Sequence, residues 1–280
     1  MTATTHKQAL TDAQALGLAR IDAQLLLLHT LGRDPNDRAW LLAHDTDTLT
    51  EAQAAQLAGL CQRRAAGEPV AYLTGGKAFY GLRLQVDARV LDPRPDTETL
   101  VDWALAVLQG QTAPRVVDLG TGSGAVALAL QHQRPQAEVH AVDASAGALA
   151  VAQANAQRLG LPVRFWGGSW FQPLPADVRF DAIVSNPPYV AEADPHLAAL
   201  THEPLSALTS GPDGLDDIRT IVAQAGTHLA PGGWLLLEHG HDQGAAVRAL
   251  LQDAGFSAVN SRTDLAGLER CSGGRWPGRG

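Results

Sequence analysis

Along residues 5–66 apolar side chains recur at helical spacing, and no run of valine and isoleucine reads as a strand. Ile21, Leu25, Leu28 and Leu31 are expected to share one face, with Asp22 in the opening turn and Gly32 placed as the helix stop. Thr50, with Gln53 three residues on, predicts a capping box for a helix running to about Arg64. This part reads as a small helical domain of about four or five helices. The pattern then changes. Over residues 67–101, Gly75-Gly76 and Gly81 punctuate short segments of alternating polarity, which predicts a hairpin. Pro93-Arg94-Pro95 blocks regular structure, and Asp96 or Thr97 can cap a helix reaching about Leu108.

From residue 114 strand-like and helix-like runs alternate. RVVDLG, AEVHAVDAS, VRFWGGS and FDAIVSN read as strands, with helices in AVALALQHQ and AGALAVAQANAQRLG; Gly160 and Pro162 stop the second helix. A helix over 214–229, a turn at Pro231-Gly232-Gly233, a fifth strand in WLLLEHG and a helix in QGAAVRALLQDAG follow. Two last strands fall at roughly 257–272, and GGRWPGRG is expected to be a loose tail. Such alternation predicts an α/β fold with a parallel, doubly wound sheet. The expected organisation is a helical domain over 1–70, a hairpin linker over 71–92 and the α/β domain over 93–280.

Composition narrows the classes. The formal net charge of -8 argues against a generic nucleic-acid binder, which neutralises phosphates with Lys and Arg. Cys61 and Cys271 stand far apart and no CxxC pair occurs, so neither a zinc site nor a disulfide framework is expected. No signal-peptide core and no long apolar span is found, which predicts a cytoplasmic protein without a membrane contact.

DLGTGSG, Asp118 to Gly124, leaves a strand and opens a helix. Gly120, Gly122 and Gly124 let the backbone turn tightly and approach a ligand, with Thr121 and Ser123 between them. Asp143 ends the next strand, where a carboxylate can accept hydrogen bonds from both ribose hydroxyls of a nucleoside. A dinucleotide or S-adenosyl-L-methionine fits this arrangement. The G-x-G-x-G spacing and the acidic Asp118 favour the second, because its sulfonium and amino groups are cationic and it carries no pyrophosphate.

The fourth strand runs into Asn186-Pro187-Pro188-Tyr189. Proline cannot donate to a ladder, so the strand must stop there, at the sheet edge where open α/β folds bind ligands. The Asn186 side-chain oxygen and the Pro187 carbonyl can face one point. Two acceptors held together suit an NH2 on a planar group, on which Tyr189 can stack. An amide nitrogen is a poor nucleophile because its lone pair is delocalised. Holding both its hydrogens aims it at a donor methyl and stabilises the developing N–H charge.

DLGTGSG with NPPY resembles the amino-methylating S-adenosylmethionine-dependent methyltransferases of DNA, rRNA and protein glutamine. GEPVAYLTG, FYGL, VLDPRPDTETLV, GSWF and PGGWLLLEHG extend the likeness across nearly the whole chain, to the HemK/PrmC family of peptide-chain release factor N5-glutamine methyltransferases. The resemblance implies a Rossmann-like domain with a seven-stranded, mostly parallel sheet behind a small helical N-terminal domain that recognises the protein substrate. It implies a cofactor held by Gly120 to Gly124 and Asp143, with Trp170 of GSWF beside the adenine and Asn186 reaching both cofactor and substrate. It implies that Asn186, Pro187, Pro188 and Tyr189 hold the glutamine of the GGQ loop of class I release factors. No metal and no direct nucleic-acid partner are implied, and a monomer is expected. The alternatives are methylation of a nucleic-acid exocyclic amine or of a ribosomal-protein glutamine in the same pocket.

One departure is Asp92, where an apolar residue is expected before Pro-Arg-Pro. Arg94 fits a contact with the substrate loop, a contact at the domain interface, or an anchor for the Pro-Arg-Pro turn. His239 and His241 read as loop or cap residues, and Trp40, Trp103 and Trp234 as core aromatics.

Overall fold

The computed structural model describes residues 4–278. The chain forms two compact units: residues up to Gly76 together with Ala198–His202, and Lys77–Leu197 together with the residues from Glu203 on.

The first unit holds α1 (His6–Ala15), α2 (Arg20–Thr30), α3 (Arg38–Ala43), α4 (Glu51–Ala65) and α5 (Val70–Thr74). Thr50 and Gln53 form the expected capping box on α4, and Gly32 follows α2 with φ +66°. The buried face of α2 differs from the expected one. Ala23, Leu26, Leu27, Leu28 and Thr30 are buried, while Ile21 is exposed and Leu25 and Leu31 are half-buried. Four consecutive leucines allow more than one face; the Asp22 carboxylate, held by Arg64 of α4 at 2.8 Å, goes with the face observed. Trp40 is half-buried and packs against the helical core, with the Arg33 guanidinium 3.5 Å from its ring centroid and His44 stacked on it.

The second unit opens with a hairpin, β1 (Lys77–Phe79) and β2 (Leu82–Leu84), whose turn residues Tyr80 and Gly81 both have positive φ. Tyr80 is kept in that unfavourable conformation by its partners. Its N–H donates to Glu98 at 2.9 Å and its hydroxyl to Asp102 at 2.6 Å. A 3₁₀ turn at Pro95–Thr97 leads into α6 (Glu98–Val107). Then come β3 (Arg115–Leu119), α7 (Ala125–Gln133), β4 (Glu138–Asp143), α8 (Ala146–Leu159), β5 (Arg164–Gly167), β6 (Phe180–Ser185) and α9 (Asp216–Ala225). The unit closes with β7 (Leu229–Glu238), α10 (Gly244–Asp253), β8 (Ser257–Thr263) and β9 (Glu269–Arg275).

Seven strands form one sheet in the order β5-β4-β3-β6-β7-β9-β8. The pairs from β5 to β7 are parallel, and β9 is antiparallel to both of its neighbours. The central strands are buried and aliphatic, as strands covered on both faces must be. α7 is buried from Ala125 to Gln131, and its sequence is correspondingly apolar all round.

The structure departs from the sequence pattern at two further places. Pro231-Gly232-Gly233 is no turn before a strand. It lies inside β7, where pairing jumps from Phe180↔Leu229 to Ala182↔Trp234. The bulge needs glycine because a Cβ at Gly233 would stand 2.9 Å from the Phe180 carbonyl oxygen. Nor is the stretch from Gly273 to Trp276 a loose tail; Arg279 and Gly280 of the same expected tail lie outside the described residues. Gly273, Gly274 and Arg275 belong to β9, and the Trp276 N–H donates to the Gly233 carbonyl at 2.7 Å. Trp103 is buried and Trp234 half-buried beside it, ring centroids 6.4 Å apart.

Candidate active site

The chain runs outward through β3, β4 and β5, then returns to place β6 on the other side of β3. This reversal opens a crevice at the carboxyl ends of β3 and β6, where such sheets bind ligands. The glycine loop follows β3 and the Asn-Pro-Pro-Tyr group follows β6, so sheet topology alone brings the two together.

Gly120, Gly122 and Gly124 all have positive φ, at +71°, +57° and +84°. The N–H groups of Gly120 and Thr121 donate to the Val142 carbonyl at 2.8 and 2.9 Å, which ties the loop to the end of β4. Asp143 accepts from the Gly122 N–H and the Ser145 N–H, each at 2.8 Å. Its carboxylate is therefore fixed at the rim before any ligand arrives. Asp118 is fully buried behind the loop. Burial pushes its carboxyl up to about 7; the Thr121 hydroxyl and the Ala127 N–H pull it down, and the charge of Asp143 adds to the rise.

These groups border a cavity of about 320 Å³. Gly120, Thr121, Gly122, Ser123, Asp143 and Trp170 line one side, and Asn186 and Pro188 face them. Pro204, Ser206 and Ala207 complete the wall. Trp170, itself at φ +47°, sets its ring where a side chain on Gly120 would meet it at 3.4 Å. Three expected site residues stand off the cavity wall. Gly124 packs beneath the loop, where a Cβ would come within 2.9 Å of Leu128. Pro187 is buried, and Tyr189 is half-buried with its ring against the sheet core.

Asn186 Nδ2 donates to Thr97 Oγ1 at 3.2 Å. Its Oδ1 is buried and meets no hydrogen-bond partner. A buried acceptor left free is costly unless something docks on it. The Tyr189 hydroxyl donates to Glu238 Oε1 at 3.3 Å; burial, then the neighbouring carboxyl, raises its pKa well above the ordinary tyrosine range.

Two features of the site carry no sequence motif. Glu238, at the end of β7, is a charged residue closing a leucine run at the carboxyl edge of the sheet, and that position was the available signal. The second is a charge cluster around two buried carboxylates, Asp92 and Glu203. Glu203 accepts from Arg94 and from the Asp92 N–H, Arg94 also pairs with Asp92 at 3.6 Å, and Lys77 pairs with Asp92 at 3.1 Å. The unexpected Asp92 is thus buried but paired, and Arg94 anchors its own turn to the loop that begins the 204–207 wall. His239 is buried with Nε2 2.7 Å from Ser272 Oγ, while His241 is exposed. No group of three or more metal-ligating side chains comes together among the described residues. No helix among them is long and apolar enough to cross a membrane.

The cavity suits S-adenosyl-L-methionine on the chemistry of its lining. A glycine floor admits close backbone approach, Asp143 offers a fixed carboxylate for a diol, and Asp118 stands ready to face a cation. The flat face of Trp170 suits an adenine.

A model of the methyltransferase small domain family matches residues 97–261, and one of the PrmC N-terminal domain matches residues 5–75. A release factor glutamine methyltransferase of Bordetella pertussis is 55% identical, over 92% of this chain and 95% of its own length. One of Burkholderia pseudomallei is 49% identical, over 98% and 99%. A methyltransferase structure from Pyrococcus furiosus superposes with a TM-score of 0.53 at 18% identity, covering 82% of this chain and 100% of that one. The T. thermophilus 16S rRNA N2 G1207 methyltransferase, in complex with AdoMet and guanosine, gives 0.55 at 20% identity, covering 73% and 50%. These two structures establish the fold alone: Rossmann-like, with the mostly parallel seven-stranded sheet the sequence predicts. Identity of this order over nearly the full length decides the rest, and the chain belongs to the release factor glutamine methyltransferase family.

Proposed function

We propose that this protein transfers a methyl group from S-adenosyl-L-methionine to the side-chain amide nitrogen, N5, of the glutamine in the GGQ motif of class I peptide-chain release factors. S-adenosyl-L-homocysteine is the second product. The observation that carries the reading is Asn186 Oδ1, a buried acceptor with no partner at the wall of a cavity suited to the cofactor.

The cofactor supplies an electrophilic methyl group on a cationic sulfur. The protein does the rest by position. Gly120, Thr121, Gly122 and Ser123 form the floor, Asp143 takes the ribose hydroxyls and Trp170 borders the adenine; Gly124 serves by holding the loop against α7. Asn186 Oδ1 and the Pro187 carbonyl each accept one hydrogen of the substrate NH2, which points the nitrogen at the methyl group. Pro188 closes the wall, and Tyr189, its hydroxyl on Glu238 and its ring against the sheet core, holds the Asn-Pro-Pro-Tyr turn in place behind it. As the N–C bond forms, one N–H proton becomes acidic and leaves to solvent, so no strong base is needed.

The helical unit recruits the factor away from the catalytic loop. A short GGQ peptide would then be a far poorer substrate than the intact factor. The protein works as a cytoplasmic monomer, without nucleic acid. The test is mass spectrometry on an unmodified release factor incubated with the enzyme and S-adenosyl-L-methionine, beside an Asn186→Ala sample. A gain of one methyl on the GGQ glutamine, reduced at least about a hundredfold in rate by the substitution, is expected. Transfer to RNA or to another protein instead would keep the chemistry and overturn the substrate.

A further inference from the structure

An asparagine can present either end of its amide, and only the oxygen end helps here. A substrate NH2 carries two donors; an Asn186 NH2 facing it would repel it. Something must therefore decide the direction. Asn186 is directed by Thr97, which sits in the last position of the 3₁₀ turn before α6 and accepts from Asn186 Nδ2 at 3.2 Å. At a helix start a threonine commonly turns its oxygen to cap the backbone. Thr97 makes no such capping bond. A hydroxyl that accepts from Asn186 still has a proton to donate; Glu238, which already takes the Tyr189 hydroxyl on Oε1 and whose Oε2 is buried without a hydrogen-bond partner, offers the acceptor, and the Thr97 hydroxyl holds its carboxyl down.

We propose that Glu238 is a positioning residue for Asn186: as a carboxylate it takes the Thr97 hydroxyl proton as a hydrogen bond, leaves the Thr97 oxygen to accept from Asn186 Nδ2, and so turns Asn186 Oδ1 into the cavity. The inference rests on the amide-methylating reading and extends it to a residue that touches neither substrate nor cofactor. An ionised carboxylate is acceptor-only, so it fixes the direction of every hydrogen bond in the chain. The same carboxylate accepts from the Tyr189 hydroxyl at 3.3 Å, so both ends of the Asn-Pro-Pro-Tyr group report to one side chain. Its Oε2 is buried and has no hydrogen-bond partner, so it is the acceptor left for the Thr97 hydroxyl.

The groups facing Glu238 come from three places: Thr97 and Asp96 from the 3₁₀ turn, Tyr189 from the turn after β6, and Arg270 with the neighbouring Cys271 thiol from β9. Burial pushes Glu238 up to about 7; the Thr97 and Tyr189 hydroxyls and Arg270 oppose the rise, while the charge of Asp96 adds to it. Below that pH the carboxyl gains a proton of its own to donate. Thr97 can then accept from Glu238 and donate to Asn186, and the amide loses its fixed direction.

The test uses the full-length enzyme at saturating S-adenosyl-L-methionine. In the wild type, kcat for methyl transfer is expected to fall as pH drops through about 7. Glu238→Gln places a donor in the chain and should lower kcat at pH 8 about tenfold or more, leave cofactor Kd within about twofold, and remove the acid limb. Thr97→Ser should keep both rate and limb. Thr97→Val should match Glu238→Gln, and the double variant should be no slower than either single one, since both break one chain. Asn186 side-chain amide NMR signals in the ligand-free protein should shift with the Glu238 carboxyl in the wild type and not in Thr97→Val. Singles within about twofold of wild type, losses that multiply, or an Asn186 signal blind to the Glu238 titration would each overturn the proposal. A wild-type enzyme that leaves glutamine unmodified would sink the substrate reading alone, because the NMR arm reads the orientation without turnover.

Discussion

Asp118 gives the sharpest prediction, because its burden on the fold depends on pH. Its carboxyl moves from an ordinary 3.8 to about 7 on folding, chiefly through burial. Below about 3.8 it is protonated in both folded and unfolded chains and costs nothing. Between 3.8 and 7 the unfolded chain has released a proton that the folded one keeps, so stability falls as pH rises. Above 7 the cost levels off at about 4 kcal/mol, taking 1.36 kcal/mol per pH unit. At pH 5.5 it is about 2 kcal/mol by the same arithmetic. Asp118→Asn cannot ionise. Its side-chain oxygen can still accept from Thr121 and Ala127, and whatever its new NH2 costs is the same at every pH. The stability difference between variant and wild type should therefore shift toward the variant by about 2 kcal/mol between pH 5.5 and pH 8.5. Urea denaturation of the ligand-free proteins at the two pH values measures this from the midpoints at fixed slope. The same substitution should weaken binding of S-adenosyl-L-methionine, because the charge that burdens the empty fold is the one that meets the cation. A difference identical at both pH values would refute the reasoning, whatever its size.

Two other substitutions probe the frame. Gly124→Ala places a side chain at φ +84° within 2.9 Å of Leu128, which should cost about 2–4 kcal/mol in urea denaturation, the sum of left-handed strain and overpacking. Arg94→Ala strips a partner from Asp92 and Glu203, both buried. Because Arg94 is 38% exposed, solvent screening trims the cost of breaking a buried pair to about 2 kcal/mol. Protease nicking of the loop around 204–207, with weaker cofactor binding, should accompany it, and an unchanged nicking rate would separate the cluster from the wall.

Local chemistry made the site's two halves legible. A glycine triplet between strand and helix and a proline pair after a strand are written in consecutive residues, and the sheet brings both to one edge. Even so, Tyr189 turned out to present its hydroxyl to Glu238 rather than its ring to the cavity. What escaped the sequence lies in pairings between distant segments. Thr97 reads as an ordinary cap until β6 delivers Asn186 to it. Asp92 reads as a misfit until Glu203 and Lys77 meet it. The leucine run of α2 could not say which of its sides would be buried. Pro231-Gly232-Gly233 carries the composition of a turn, and only the neighbouring β6 makes it a bulge.

The position of β9 has a consequence for synthesis. β8 precedes β9 in the chain but reaches the sheet only through it. Until residues 269–275 are made, the edge of β7 stands open, with Leu235, Leu236 and Leu237 on it. That is an apolar template with unpaired backbone, able to recruit another nascent chain. Gly273 and Gly274 then close it at very short range, since a Cβ on the first would lie 2.5 Å from Leu236 and on the second 2.8 Å from Phe256. A ribosome stalled before residue 269 would therefore leave an aggregation-prone intermediate, and slow translation of this last stretch is where the protein would depend most on chaperones.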